Sequence, residues 1–175
     1  MYKLSNNFKD FVKSHFSDNK QVGEIISIII AQDASIAKLK DYLLDHPNVL
    51  ELIKIDALQY LLLYVNDTLK DDCITSEELN DFLALKRIFD IKQGDFFKYK
   101  EFEVQEILQQ QFLRMYSDHF IDQNEAITQV NLQIMFDLSF DEFEKLKKQE
   151  VIQALLNGAD PKHLDISSLP KGFKL

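Results

Sequence analysis

Displaced by 47 residues, the chain matches itself. Asp71–Leu108 lies over Asp118–Leu155 with twelve identities in thirty-eight positions and no gap. Among them are Asp71/Asp118, Ile74/Ile121, Glu78/Glu125, Leu85/Leu132, Phe89/Phe136 and Asp90/Asp137. A repeat of this length is one supersecondary unit that cannot bury its apolar face alone. Each copy reads as a helix ending in an acidic loop, an isoleucine within the loop, and a second helix behind it. Thr75-x-x-Glu78 and Asp122-x-x-Glu125 open those second helices, and Ser139-x-x-Glu142 opens a third. In such a box the Ser, Thr or Asp side chain accepts from a free N–H of the first turn. The glutamate reaches back to the cap N–H.

The rest of the chain also follows a helical period. Phe8, Phe11, Val12 and Phe16 share one face, with Ser5 or Asn6 as cap and His15 on the same side. Val22, Ile25, Ile26, Ile29 and Ile30 form the next stripe, which continues past Asp33 or restarts there. His46-Pro47-Asn48 is a break, with Pro47 placed to open a helix over Val49–Leu69. That helix is apolar nearly all round from Ala57 to Val65, the mark of a central element, and Asp56 is expected at its surface. Further helices are expected from Ser76, from Phe96 or Phe97, over Glu125–Asp137 and over Phe140–Leu156. Gln109, Gln110 and Gln111 are expected to face partly outward. Asn157-Gly158 is a C-terminal stop. The expected fold class is all-α, a bundle of about seven helices with a weak internal repeat. Residues 1–47 would be an N-terminal helical cap, 48–158 the bundle with two related units, and 159–175 a short turn and tail, all in one globular domain.

The acidic loops invite a metal reading. With Ile74 at the eighth place of a calcium-type loop, Asp67, Asp71 and Glu78 fall at the first, fifth and twelfth. Leu69 then occupies the third place, which needs an oxygen ligand, and Asp72 replaces the glycine of the sharp turn. The second copy puts Arg114 and Tyr116 at its first and third places. A capped helix behind a solvated acidic loop accounts for the same residues.

An apolar helix, an acidic loop with isoleucine and glutamate, a Leu-x-x-Leu-like helix and a closing Phe-Asp-Ile or Phe-Asp-Leu resemble the TerB-like family of helical tellurite-resistance domains. The stretches are Leu61–Ile91 and Phe112–Leu138, and the resemblance covers about Leu50–Leu156. It implies a helical bundle carrying two such units and a role in metal or stress responses. It also implies a divalent cation held by Asp71, Asp72, Glu78, Asp118, Asp122 and Glu125, although Asp72 and His119 stand where the family carries glycine.

Composition narrows the function classes. Twenty Lys and Arg against twenty-nine Asp and Glu give a net charge of −9, the wrong sign for neutralising nucleic-acid phosphates. The same sign suits a basic protein partner, since charge complementarity speeds encounter. A single cysteine, Cys73, excludes an intrachain disulfide and fits a reducing compartment. The apolar runs Val22–Ala31 and Ala57–Val65 are far shorter than the ~20 residues of a membrane span. A cytoplasmic protein without membrane contact is expected. The four glycines lie far apart, so no phosphate loop can form, and the four histidines make no His-x-x-x-His pair. Cys73 sits among aspartates that disfavour its thiolate, against a thiol–imidazole pair with His119. The expectation is therefore a protein with no enzymatic activity and no cofactor. Its first reading is an acidic module that binds a basic protein, in the manner of a bacterial toxin-neutralising (immunity) or defence-associated protein. Its second is a cation-binding stress-response protein of the TerB-like kind.

Overall fold

A computed structural model describes residues 3–31, 35–71, 73–115, 123–158 and 160. Among these residues every regular element is helical. In chain order they are α1 (Asn6–Ser14), α2 (Lys20–Ile30), α3 (Ser35–Asp45), α4 (Val49–Leu52), α5 (Lys54–Thr68), a 3-10 turn (Leu69–Asp71), α6 (Ser76–Ile88), α7 (Asp95–Met115), α8 (Gln123–Met135) and α9 (Phe140–Leu156). The expected all-α bundle is therefore present. The tail beyond Asp160 and the loop carrying Asp118 and Asp122 lie outside the described residues.

Helix α5 is the hub. It packs on α1, α6 and α7, while α6 packs on α8, α7 on α9, and α2 on α3. Its buried side chains point in nearly every direction: Ala57, Leu58, Tyr60, Leu61, Leu62, Tyr64, Val65 and Thr68. That all-round burial is what its all-round apolarity required. Phe8 and Phe11 of α1 close against its tyrosines, with ring centroids 5.1 Å (Phe8–Tyr64) and 5.5 Å (Phe11–Tyr60) apart. At the other end, Phe82, Phe96 and Phe136 pack ring on ring, joining α6, the start of α7 and the end of α8.

Nine α-helices are described where about seven are expected. The two extra ones come from separations within expected helices. Helices α2 and α3 are distinct, on either side of residues 32–34. The expected Val49–Leu69 helix is broken at Ile53 (φ −96°, ψ 6°), and its last residue belongs to the 3-10 turn. Pro47 does not open it either. It lies in a turn, one residue before the N-cap Asn48, which takes the left-handed conformation (φ 65°) without a side-chain cap. The break is stabilised from the core, because the Ile53 side chain is buried and its backbone still bonds on both sides, to Val49 O (3.0 Å) and from Ala57 N (2.8 Å). Gln109 and Gln110 of α7 are exposed, in keeping with a run that faces partly outward, while Gln111 is buried. Asp56 is exposed as expected, where it accepts from Asn19 Nδ2 (2.7 Å).

Helices α6 and α8 begin and end 47 residues apart. Their C-termini close in the same way. Ile91 N–H reaches back to Lys86 O (2.9 Å) and Asp90 N–H to Arg87 O (3.3 Å), and Leu138 and Asp137 repeat the pattern on Gln133 and Ile134 (3.0 and 3.3 Å). Asp90 (φ 53°) and Asp137 (φ 56°) occupy the left-handed position of this Schellman closure. The residues behind them, Ile91 and Leu138, are buried.

Candidate functional site

The acidic stretch between α5 and α6 is built on a clamped isoleucine. The Ile74 side chain is buried, and its backbone is held by α8 on both sides. The Ile74 N–H donates to Thr128 Oγ1 (3.2 Å), and Asn131 Nδ2 donates to Ile74 O (2.8 Å). Thr128 and Asn131 are one turn apart and both buried, so α8 offers a polar pair in register with the backbone of one residue. Helix α6 then starts with the expected capping box. Glu78 Oε2 accepts from the Thr75 N–H (2.9 Å) and hydroxyl (2.8 Å), while the Glu78 N–H donates to Thr75 Oγ1 (3.3 Å). Ser139 and Glu142 make the same box at α9, and hydrogen bonds from Ser139 hold the Glu142 carboxyl below its ordinary range. Thr75→Ala and Ser139→Ala are each expected to lower stability by about 0.5–2 kcal/mol, measured by urea melts.

Behind the cap lies Asp81, buried at 2% exposure. Its carboxylate accepts from the Ser5 N–H (2.9 Å) and from the Tyr64 hydroxyl (3.3 Å), tying the N-cap of α1 to α5 and α6. Burial, followed by the fields of Asp81, Glu78 and Asp67, pushes the Tyr64 phenol far up from its ordinary range.

Of the six expected cation ligands, Asp71, Glu78 and Glu125 are described, and Asp72, Asp118 and Asp122 lie outside the described residues. Asp71 is exposed in the 3-10 turn, Glu78 is engaged by its capping box, and Glu125 lies half-buried in the first turn of α8. Among the described residues no three His, Cys, Asp or Glu side chains form a group that could hold a metal ion. Cys73 is half-buried, and His119 lies outside the described residues. Histidines His15 and His46 are both paired to their own helices: each Nδ1 lies against the carbonyl four residues earlier (3.1 and 2.9 Å), and each ring stacks on an aromatic neighbour, Phe11 or Tyr42.

A second polar node sits on the opposite end of α6. Lys86 is buried, and its Nζ donates to Asp137 Oδ2 (2.6 Å) and to the Met135 carbonyl at the end of α8 (3.2 Å). The ammonium also stands 5.7 Å from the centre of the Phe96 ring. Lys147 and Glu144 form a buried pair on α9.

Asp81, Lys86, Thr128 and Asn131 were not among the residues singled out from the sequence. The available signal was a polar residue among apolar ones at helical spacing, such as Lys86 with Phe82, Leu83 and Phe89. No helix among the described residues is long and apolar enough to cross a membrane. Neither a scan against protein-family models nor searches of characterised proteins and solved structures find a match to this chain.

Proposed function

We propose that the chain is a non-catalytic binding module that offers the acidic end of α5 and α6 to a cationic protein. One observation carries this reading: the charge is segregated. The first 47 residues hold six acidic and six basic side chains, so the whole excess of nine lies beyond them. From Asp67 to Asp81 six carboxylates face one lysine. Asp71 and Glu77 are exposed there on a rigid base, the Ile74 clamp and the Thr75 cap. A fixed field of one sign steers an oppositely charged partner and sets its register. Neutralisation of a basic toxin would be one use of such a surface.

The shared 47-residue offset of α6 and α8, with the same closure at both C-termini, supports descent of the two units from one ancestral unit. The TerB-like resemblance suits that origin. Its cation-binding reading competes for the same carboxylates.

The test is a tagged chain used as bait in its native host, followed by reconstitution with the purified basic partner. Asp71→Lys with Glu77→Lys should slow association by on the order of tenfold, and moderate salt should weaken the wild-type complex by a similar factor. A complex indifferent to both changes would place the interface elsewhere and contradict the proposal.

A further inference from the structure

Away from the acidic end, α1, α2, α3 and α5 surround a groove of about 960 Å³. This is the size range of small-molecule sites. Its walls are largely apolar: Val12, Ile26, Ile28, Ile30 and the Tyr60 ring. Phe16 stands at its lip, 81% exposed.

Two features of α2 keep the groove open. Gly23 lies inside the helix, where glycine weakens the structure relative to alanine. No packing contact explains it, since a Cβ placed there would meet nothing within 4 Å. One turn on, Ser27 also lines the groove, its hydroxyl turned back to donate to Gly23 O (2.8 Å). The absent side chain at Gly23 is groove volume.

The mouth carries two exposed ammonium groups, each with a carboxylate beside it. Lys13 and Lys20 line it against one carboxylate, Glu24. Glu24 is already engaged by the Tyr42 hydroxyl (2.8 Å) and by Lys20 (3.5 Å). Burial, and then Glu24, pushes the Tyr42 phenol up to about 12, so this wall keeps its proton and its hydrogen bond. Lys13 pairs with Asp10 (2.7 Å), but both ammonium groups are on largely exposed side chains (76% and 87%). Such surface pairs exchange readily for another anion.

We propose that this groove binds a single-chain anionic amphiphile, a long-chain carboxylate or a close analogue. The chain would lie along the Gly23–Ser27 face of α2, and Lys13 and Lys20 would meet the head group. An apolar groove with a few polar groups at one end suits a ligand with one polar end.

The experiment titrates the full chain with dodecanoate below its micellar concentration, by calorimetry. Dodecylamine and dodecanol serve as head-group controls. Saturable one-to-one binding of dodecanoate is expected, at least tenfold tighter than either control. Gly23→Leu should fill the groove and lower the affinity at least tenfold, while its melting temperature stays equal to or above wild type. Lys13→Gln with Lys20→Gln should remove the preference for the carboxylate and retain the fold. Any one of three results overturns the proposal: no saturable binding of dodecanoate, undiminished binding by a folded Gly23→Leu variant, or equal binding of dodecylamine. Sedimentation with phosphatidylglycerol vesicles, without binding of monomeric dodecanoate, would assign the contact to a membrane surface and overturn it as well. So would capture of an amphipathic peptide helix by a groove that takes no dodecanoate.

Discussion

Lys86→Ala is expected to destabilise the bundle by about 3 kcal/mol, at the low end of the range for breaking a buried ion pair. The low end applies because the Asp137 side chain is 21% exposed and can draw partial hydration once its partner is gone. Two groups lose their partner together. Asp137 keeps a charge with no cation beside it, and the Met135 carbonyl, one of the free acceptors at the end of α8, loses its cap. For a chain of this size the melting temperature should fall by roughly 6–12 °C. The charge explanation makes a second requirement. Lys86→Met combined with Asp137→Asn removes both charges and preserves most of the stem packing against Phe96. Asn also tolerates the left-handed backbone at position 137. That double variant should lie within about 1.5 kcal/mol of wild type. If it is as unstable as Lys86→Ala, the loss comes from packing and not from the orphaned carboxylate.

Asp81→Ala is expected to cost a similar amount, about 3 kcal/mol, by leaving the half-buried Ser5 N–H and the buried Tyr64 hydroxyl without their acceptor. The effect should be directional along the chain. Helix α1 is tied at its N-cap through Ser5, so amide exchange at Ser5 and along the first turn of α1 should quicken more than exchange in α8. Tyr64→Phe removes one of the two stranded donors. Placed in the Asp81→Ala background it should therefore cost less than it does in the wild type. Additive losses in this cycle would mean that Asp81 and Tyr64 do not act on each other.

These two side chains show where sequence reading stops. A capping box is a local pattern, so the starts of α6 and α9 were legible at Thr75 and Ser139. The central place of α5 was legible too, because only a helix surrounded by other helices is apolar on every face. Asp81 and Lys86 carry no such mark. Each reads as solvent-facing until its partner is known, and those partners, Ser5 and Asp137, lie 76 and 51 residues away. Ile53 failed for the opposite reason. It fits the apolar period, so nothing local announces that the helix breaks there, and the core it enters is assembled from elsewhere. Gly23 interrupts an isoleucine-rich run. Only α1, α3 and α5 around it turn a missing side chain into space.

The acidic end decides the functional account. Glu78 caps Thr75, and the exposed carboxylates are proposed to meet a protein partner, whereas the TerB-like resemblance implies a cation on the same groups. Thermal melts of the wild type and of Glu78→Gln, in chelator and in millimolar calcium, separate the two most directly. Gln keeps an oxygen that can accept from Thr75, so the substitution should be mild, and equally mild with and without calcium. Calcium should also leave the wild-type midpoint unchanged. A wild-type midpoint that rises with calcium, by an amount that Glu78→Gln abolishes, would contradict the account and make the acidic end a cation site.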